Sequence, residues 1–148
     1  MKYLSLLLLV TGCYQVQDLE IVEPELQQYW QQFQIEAQQL GVQLPRRDVM
    51  ILVSDDLRQG QRAVCSGTKR YASIRIARGV LPLDGEYDLS VEATVFHELA
   101  HGLLDRHHMP VEDGAYDQVS LMCVPAHRPS YHDGTKRDYY IKELFYKL

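Results

Sequence analysis

The chain has 148 residues, 46% of them hydrophobic, and carries a formal net charge of -5. That length supports one hydrophobic core and leaves too little chain for two. The acidic balance, with no cluster of Lys and Arg, argues against a nucleic-acid partner.

Met1-Lys2 is followed by the apolar run Tyr3 to Val10, too short to span a bilayer and placed as a secretory signal would be. Val10-Thr11-Gly12-Cys13 resembles the bacterial lipobox, in which cleavage precedes the cysteine and its thiol receives lipid. On this reading residues 1–12 are a lipoprotein signal peptide, Cys13 carries the lipid, 13–23 form a tether and 24–148 one domain. An ordinary signal peptide or a buried N-terminal strand is the plainer alternative. No later segment is long and apolar enough to cross a membrane, so the lipid would be the anchor, holding the protein to a bacterial envelope membrane. Setting Cys13 aside leaves Cys65 and Cys123, either a disulfide in an oxidising compartment or two free thiols.

Pro24 opens a helical pattern in which Leu26, Tyr29, Trp30, Phe33, Ala37 and Leu40 recur at spacings of three and four, up to Gly41. This is expected to be a scaffold helix with an aromatic core stripe. Val49 to Val53 is an unbroken apolar run, suited to a strand buried on both faces. Ala63 to Ser66 and Tyr71 to Ala77 read as further strands, separated by a turn at Gly67 to Arg70. Pro82 and Asp84-Gly85 mark a loop. Ser90 is then a plausible N-cap for a helix whose apolar face is Val91, Val95, Phe96, Leu99, Ala100, Leu103 and Leu104.

Within that helix stands His97-Glu98-Leu99-Ala100-His101. Histidines four apart on a helix point the same way, so both can reach one divalent ion while the glutamate leans over its open side. Two His and a Glu among apolar neighbours need partners, and zinc is the expected cofactor. Histidines satisfied by the core or by solvent are the bland alternative. A catalytic zinc takes three protein ligands and leaves the fourth position to water, whose pKa it lowers to about 7. Glu98 is the expected general base, taking the proton of that water and passing it to the departing amine.

The run His97 to His108, followed by Ser120-Leu121-Met122 and a tyrosine-rich helix ending in Lys142-Glu143-Leu144-Phe145, resembles small bacterial metzincin-like lipoproteins. The likeness covers residues 90–148. In metzincins, whose motif is HExxHxxGxxH, a glycine turns the chain out of the helix toward a third histidine. That glycine position is Leu104 here, a poor residue for a left-handed turn, although His107 has the family's spacing. A helix one residue longer makes Asp105 the turn residue, which tolerates that conformation better, and His108 then takes the family's place. His108 is favoured as third ligand and His107 kept as the alternate.

The resemblance implies an α+β zincin fold: a small mixed sheet packed on an N-terminal helix and on the HExxH helix, with a Met-turn at Met122 and a C-terminal helix. That last helix is read from Tyr140, Ile141, Leu144, Phe145 and Leu148, with Asp133 or Thr135 as its cap. The resemblance also implies a zinc endopeptidase acting on peptides or proteins, expected to be a monomer, with an extended substrate pairing to an edge strand. Ser73 to Ala77 is the candidate edge, and an edge blunted by Arg75 and Arg78 is the equal alternative.

Rival readings keep other residues in view. Gly134-Thr135-Lys136-Arg137-Asp138 fits the aspzincin fragment GTxxD and would make Asp138 the third ligand. A gluzincin would need Glu112 or Glu143. Asp113 and Asp117 lack the spaced ligand set that calcium needs. His127, Tyr131 and His132 belong to an irregular segment and are expected to be loop residues. A lipid-anchored zinc-binding module without hydrolysis is the reading from another class.

Overall fold

The computed structural model describes residues 18–111, 119–123 and 129–146. The signal segment, Cys13 and the positions Glu112, Asp113, Asp117, His127 and Leu148 lie outside the described residues. The described chain is a mixed α+β fold: four strands in one sheet and four α-helices. No described helix is long and apolar enough to cross a membrane.

Strand β1 (Glu20–Val22) pairs in parallel with β2 (Asp48–Ser54), so the second half of the expected tether is part of the sheet. Three residues are too few to show a period, which is why the sequence did not reveal it. A 3-10 turn at Pro24–Leu26, which buries Leu26, leads into α1 (Gln27–Gln39), which buries Tyr29, Trp30, Phe33 and Ala37 as their spacing requires.

Strands β3 (Ala63–Gly67) and β4 (Tyr71–Ala77) complete the sheet in the order β1-β2-β4-β3. The expectation that Ser73 to Ala77 is an edge is therefore corrected. It lies inside β4, which pairs in parallel with β2 on one side and antiparallel with β3 on the other. Alternation tells which face a strand buries, not who its neighbours are. The alternately buried Ala72, Ile74 and Ile76 suit an inner strand, whereas short, half-exposed β3 is the edge beside it and β1 the opposite edge. Burial of β2 on both faces is also corrected. Val49 and Ile51 are buried, while Met50, Leu52 and Val53 are half-buried.

Helix α2 (Leu89–Leu104) lies across β3 and β4. Its N-cap is Asp88, not Ser90: the Asp88 carboxylate accepts from the Ser90 and Val91 amides at 2.7 and 3.0 Å. A carboxylate caps as well as a hydroxyl, and the helix simply begins earlier than the apolar period. Close approach to the sheet depends on Gly102. A methyl group there would sit 2.8 Å from Ala72 Cβ and 3.3 Å from Cys65 Sγ. Cys65 and Cys123 are separate free thiols.

Short α3 (Pro129–His132) precedes α4 (Arg137–Tyr146), and the Asp133 carboxylate accepts from the Thr135 amide in the turn between them. Three helices are joined by a charged network that the sequence did not announce. Arg137 of α4 pairs with Glu36 of α1 at 2.8 Å and donates to both carboxylate oxygens of Glu92 on α2, at 2.6 and 3.1 Å. The hydroxyls of Tyr87 and Tyr131 donate to the same Glu92. Two carboxylates buried to this degree are tolerable only with that guanidinium between them. Arg137→Met is expected to cost ~3–5 kcal/mol in urea denaturation. A loss below about 1 kcal/mol would place the network in the range of an exposed pair.

Candidate metal centre

Helix α2 ends where the sequence placed its turn. Asp105 is left-handed (φ 50, ψ 37), and among the described residues it is the one non-glycine with positive φ. Its amide and that of Arg106 both reach back to the Ala100 carbonyl. Arg47 secures the exit from outside, donating to the Gly102 carbonyl and to Asp105 Oδ1 at 3.2 Å. The helix end is thus closed by partners rather than by the glycine that usually serves there.

The turned chain brings His108 back over the helix. Ring centroids of His97, His101 and His108 lie 4.7 to 5.1 Å apart. The Nε2 atom of His97 is 3.1 Å from that of His101 and 3.2 Å from that of His108. These three are the described residues whose ligand atoms converge as a metal site requires. His107 is exposed and outside the set, as is Asp138 in the first turn of α4. Glu143 is engaged elsewhere, with Arg106 and Ser120. The expectation of loop residues at Tyr131 and His132 is corrected: both lie in α3, and while His132 is exposed, Tyr131 is fully buried because its ring packs in the core and its hydroxyl donates to Glu92.

Met122 sits in a tight turn, fully buried. The Cys123 amide donates to the Ser120 carbonyl at 3.3 Å, and the Met122 amide to Ser120 Oγ at 3.0 Å. What the sequence could not show is how this turn meets the histidines. His97 Nδ1 is 2.7 Å from the Leu121 carbonyl, and His101 Nδ1 is 2.7 Å from the Arg106 carbonyl. A carbonyl oxygen only accepts, so each Nδ1 carries a proton, and in the neutral form of the ring Nε2 is left unprotonated. Two lone pairs can then face each other across 3.1 Å, an arrangement that could hold a cation. Zinc bonds imidazole at 2.0–2.1 Å, which separates tetrahedral ligands by roughly 3.3–3.4 Å, so the donor set fits such an ion. Burial lowers the His101 pKa, and neighbouring His108 and His107 add to this against the Arg106 carbonyl bond. The ring is kept neutral, as a ligand must be.

Glu98 is buried, and that burial raises its carboxyl to about 7, opposed by a hydrogen bond from the Cys65 backbone amide. The register explains the bond. Ala77 N–H donates to Arg62 O and Thr68 N–H to Tyr71 O, so by antiparallel alternation the backbone groups of Ala63, Cys65 and Gly67 point to the open side of β3. The Cys65 thiol, against Gly102, is pushed up to about 11 by burial, with Glu98 adding and Arg47 opposing.

No protein-family model, characterised protein sequence or solved structure matches the chain.

Because the left-handed turn aims His108, replacements at Asp105 should sort by backbone tolerance. Asp105→Gly is expected to keep zinc affinity within a few-fold, while Asp105→Val, strained by ~1–2 kcal/mol at this φ, should lower it at least tenfold in chelator competition. Equal affinity in the two variants would show that the turn does not set the third ligand.

Proposed function

We propose that this protein is a zinc-dependent endopeptidase of the metzincin-like zincin type, with His97, His101 and His108 as metal ligands and Glu98 as general base. The observation that carries this reading is the pair of carbonyl-fixed imidazoles whose Nε2 atoms converge with that of a third ring. Imidazole ligands also suit copper, iron and nickel. The buried carboxylate next to His97 favours hydrolysis, and zinc with it, over metal storage, because binding a metal does not need that group. Bound zinc supplies Lewis acidity that makes hydroxide available at neutral pH and polarises a carbonyl.

Glu98 does the proton transfers. Buried one residue along from His97, its carboxylate is the group that would accept a proton from attacking water and return it to the leaving amine. The outward backbone groups of Ala63 and Gly67, with the Cys65 carbonyl, offer an extended peptide an edge to pair with on β3 rather than on β4. The lipobox at Val10 to Cys13 supports lipid anchoring on an envelope membrane.

Purified protein incubated with unfolded casein is expected to cleave it, to lose the activity on chelation and to recover it with zinc. Glu98→Gln should retain zinc and lose at least 100-fold in rate. Zinc binding without chelator-sensitive cleavage would leave a metal-binding envelope module, and wild-type cleavage by Glu98→Gln would refute the base assignment.

A further inference from the structure

Beyond the ligands and the base, one buried carboxylate on the last helix touches both segments whose carbonyls orient a histidine. Glu143 is 2% exposed and pairs with the Arg106 guanidinium, itself 7% exposed. It also accepts from Ser120 Oγ at 2.6 Å. Arg106 in turn donates to the Glu143 and Leu144 carbonyls at 2.8 and 2.9 Å, which binds it to the end of α4.

The two partners of Glu143 lead to different rings. Arg106 provides the carbonyl that receives His101 Nδ1–H. Ser120 shapes the turn whose Leu121 carbonyl receives His97 Nδ1–H. The same turn reaches the third ring: the Met122 carbonyl accepts from the Met109 amide at 3.0 Å, one residue after His108. Two separate segments, one leaving α2 and one preceding α3, are thus fixed to each other directly, by that backbone bond, and through one side chain from α4.

We propose that Glu143, with Arg106 and Ser120, is a positioning group for the metal centre. It sets the two orienting carbonyls and the loop of His108, and so governs metal affinity without touching the metal. This rests on the reading of His97, His101 and His108 as ligands. A purely structural role predicts something different: loss of Glu143 would weaken the fold as any buried ion pair does, with the folded fraction binding metal normally.

The test compares zinc affinity by chelator competition, and the visible spectrum of the Co2+-substituted protein, in wild type, Glu143→Gln, Ser120→Ala and Glu92→Gln. Glu143→Gln is expected to weaken zinc binding by about 10–100-fold and to change the cobalt spectrum. Ser120→Ala, which leaves the Arg106–Glu143 pair intact, should weaken it several-fold and serves if Glu143→Gln does not fold. Glu92→Gln removes a comparably buried charge from the other network, and should lower the melting temperature with affinity and spectrum unchanged. Wild-type affinity and spectrum in folded Glu143→Gln or Ser120→Ala would overturn the proposal, and so would an equal loss in Glu92→Gln. Failure of the wild type itself to bind zinc or cobalt would instead overturn the metal reading beneath it.

Discussion

The hydrogen bonds from His97 Nδ1 to the Leu121 carbonyl and from His101 Nδ1 to the Arg106 carbonyl are the constraint on which the site depends. A neutral imidazole has one proton to place, and a carbonyl at Nδ1 fixes it there. The consequence appears on the far side of the rings, where two bare nitrogens meet at 3.1 Å. Ring tautomer and ring direction therefore follow from where two backbone oxygens stand, and with them a set of nitrogens that could hold a cation. Those oxygens belong to segments outside the helix, so the fold around α2 matters to the chemistry as much as the motif on it.

That arrangement works against the stability of the fold. Opposed lone pairs, a carboxyl raised by burial and a strained residue at Asp105 all lie within one helix and its exit. Two buried networks offset them. Arg137 ties α1, α2 and α4 at the far end of the helix, and Arg106 with Glu143 ties the exit loop to α4 near the histidines. Gly102 lets α2 lie directly on Ala72, bringing Glu98 within reach of the Cys65 amide at the sheet edge. Preorganisation of this kind is what a site needs if its ligands are to be in place before the metal arrives.

Features that depend on periodicity or on a local backbone rule were legible in the sequence. The apolar stripes of α1 and α2, the convergence of His97 with His101 and the turn at Asp105 follow from helical spacing and from the tolerance of Asp for positive φ. Features that depend on partners distant in the chain were not. The place of β3 at the edge is a matter of sheet order, which alternation does not encode. Glu92 and Glu143 look like ordinary polar residues in helices, and only the folded chain shows that Arg137, Arg106 and Ser120 converge on them. The orienting carbonyls carry no side-chain signature at all. Asp138, whose GTxxD context made it a rival ligand, lies away from the histidines at the start of α4, and Glu143, the gluzincin candidate, is occupied by Arg106.

The central claim, that three imidazoles of this chain hold one zinc and leave room for water, is tested most directly by X-ray absorption on the zinc-loaded protein. The account predicts a first shell of about three imidazole nitrogens and one oxygen at ~2.0–2.1 Å, with one nitrogen lost in His108→Ala. A shell containing sulfur, or one with fewer than three imidazoles and unchanged by loss of His108, would contradict it.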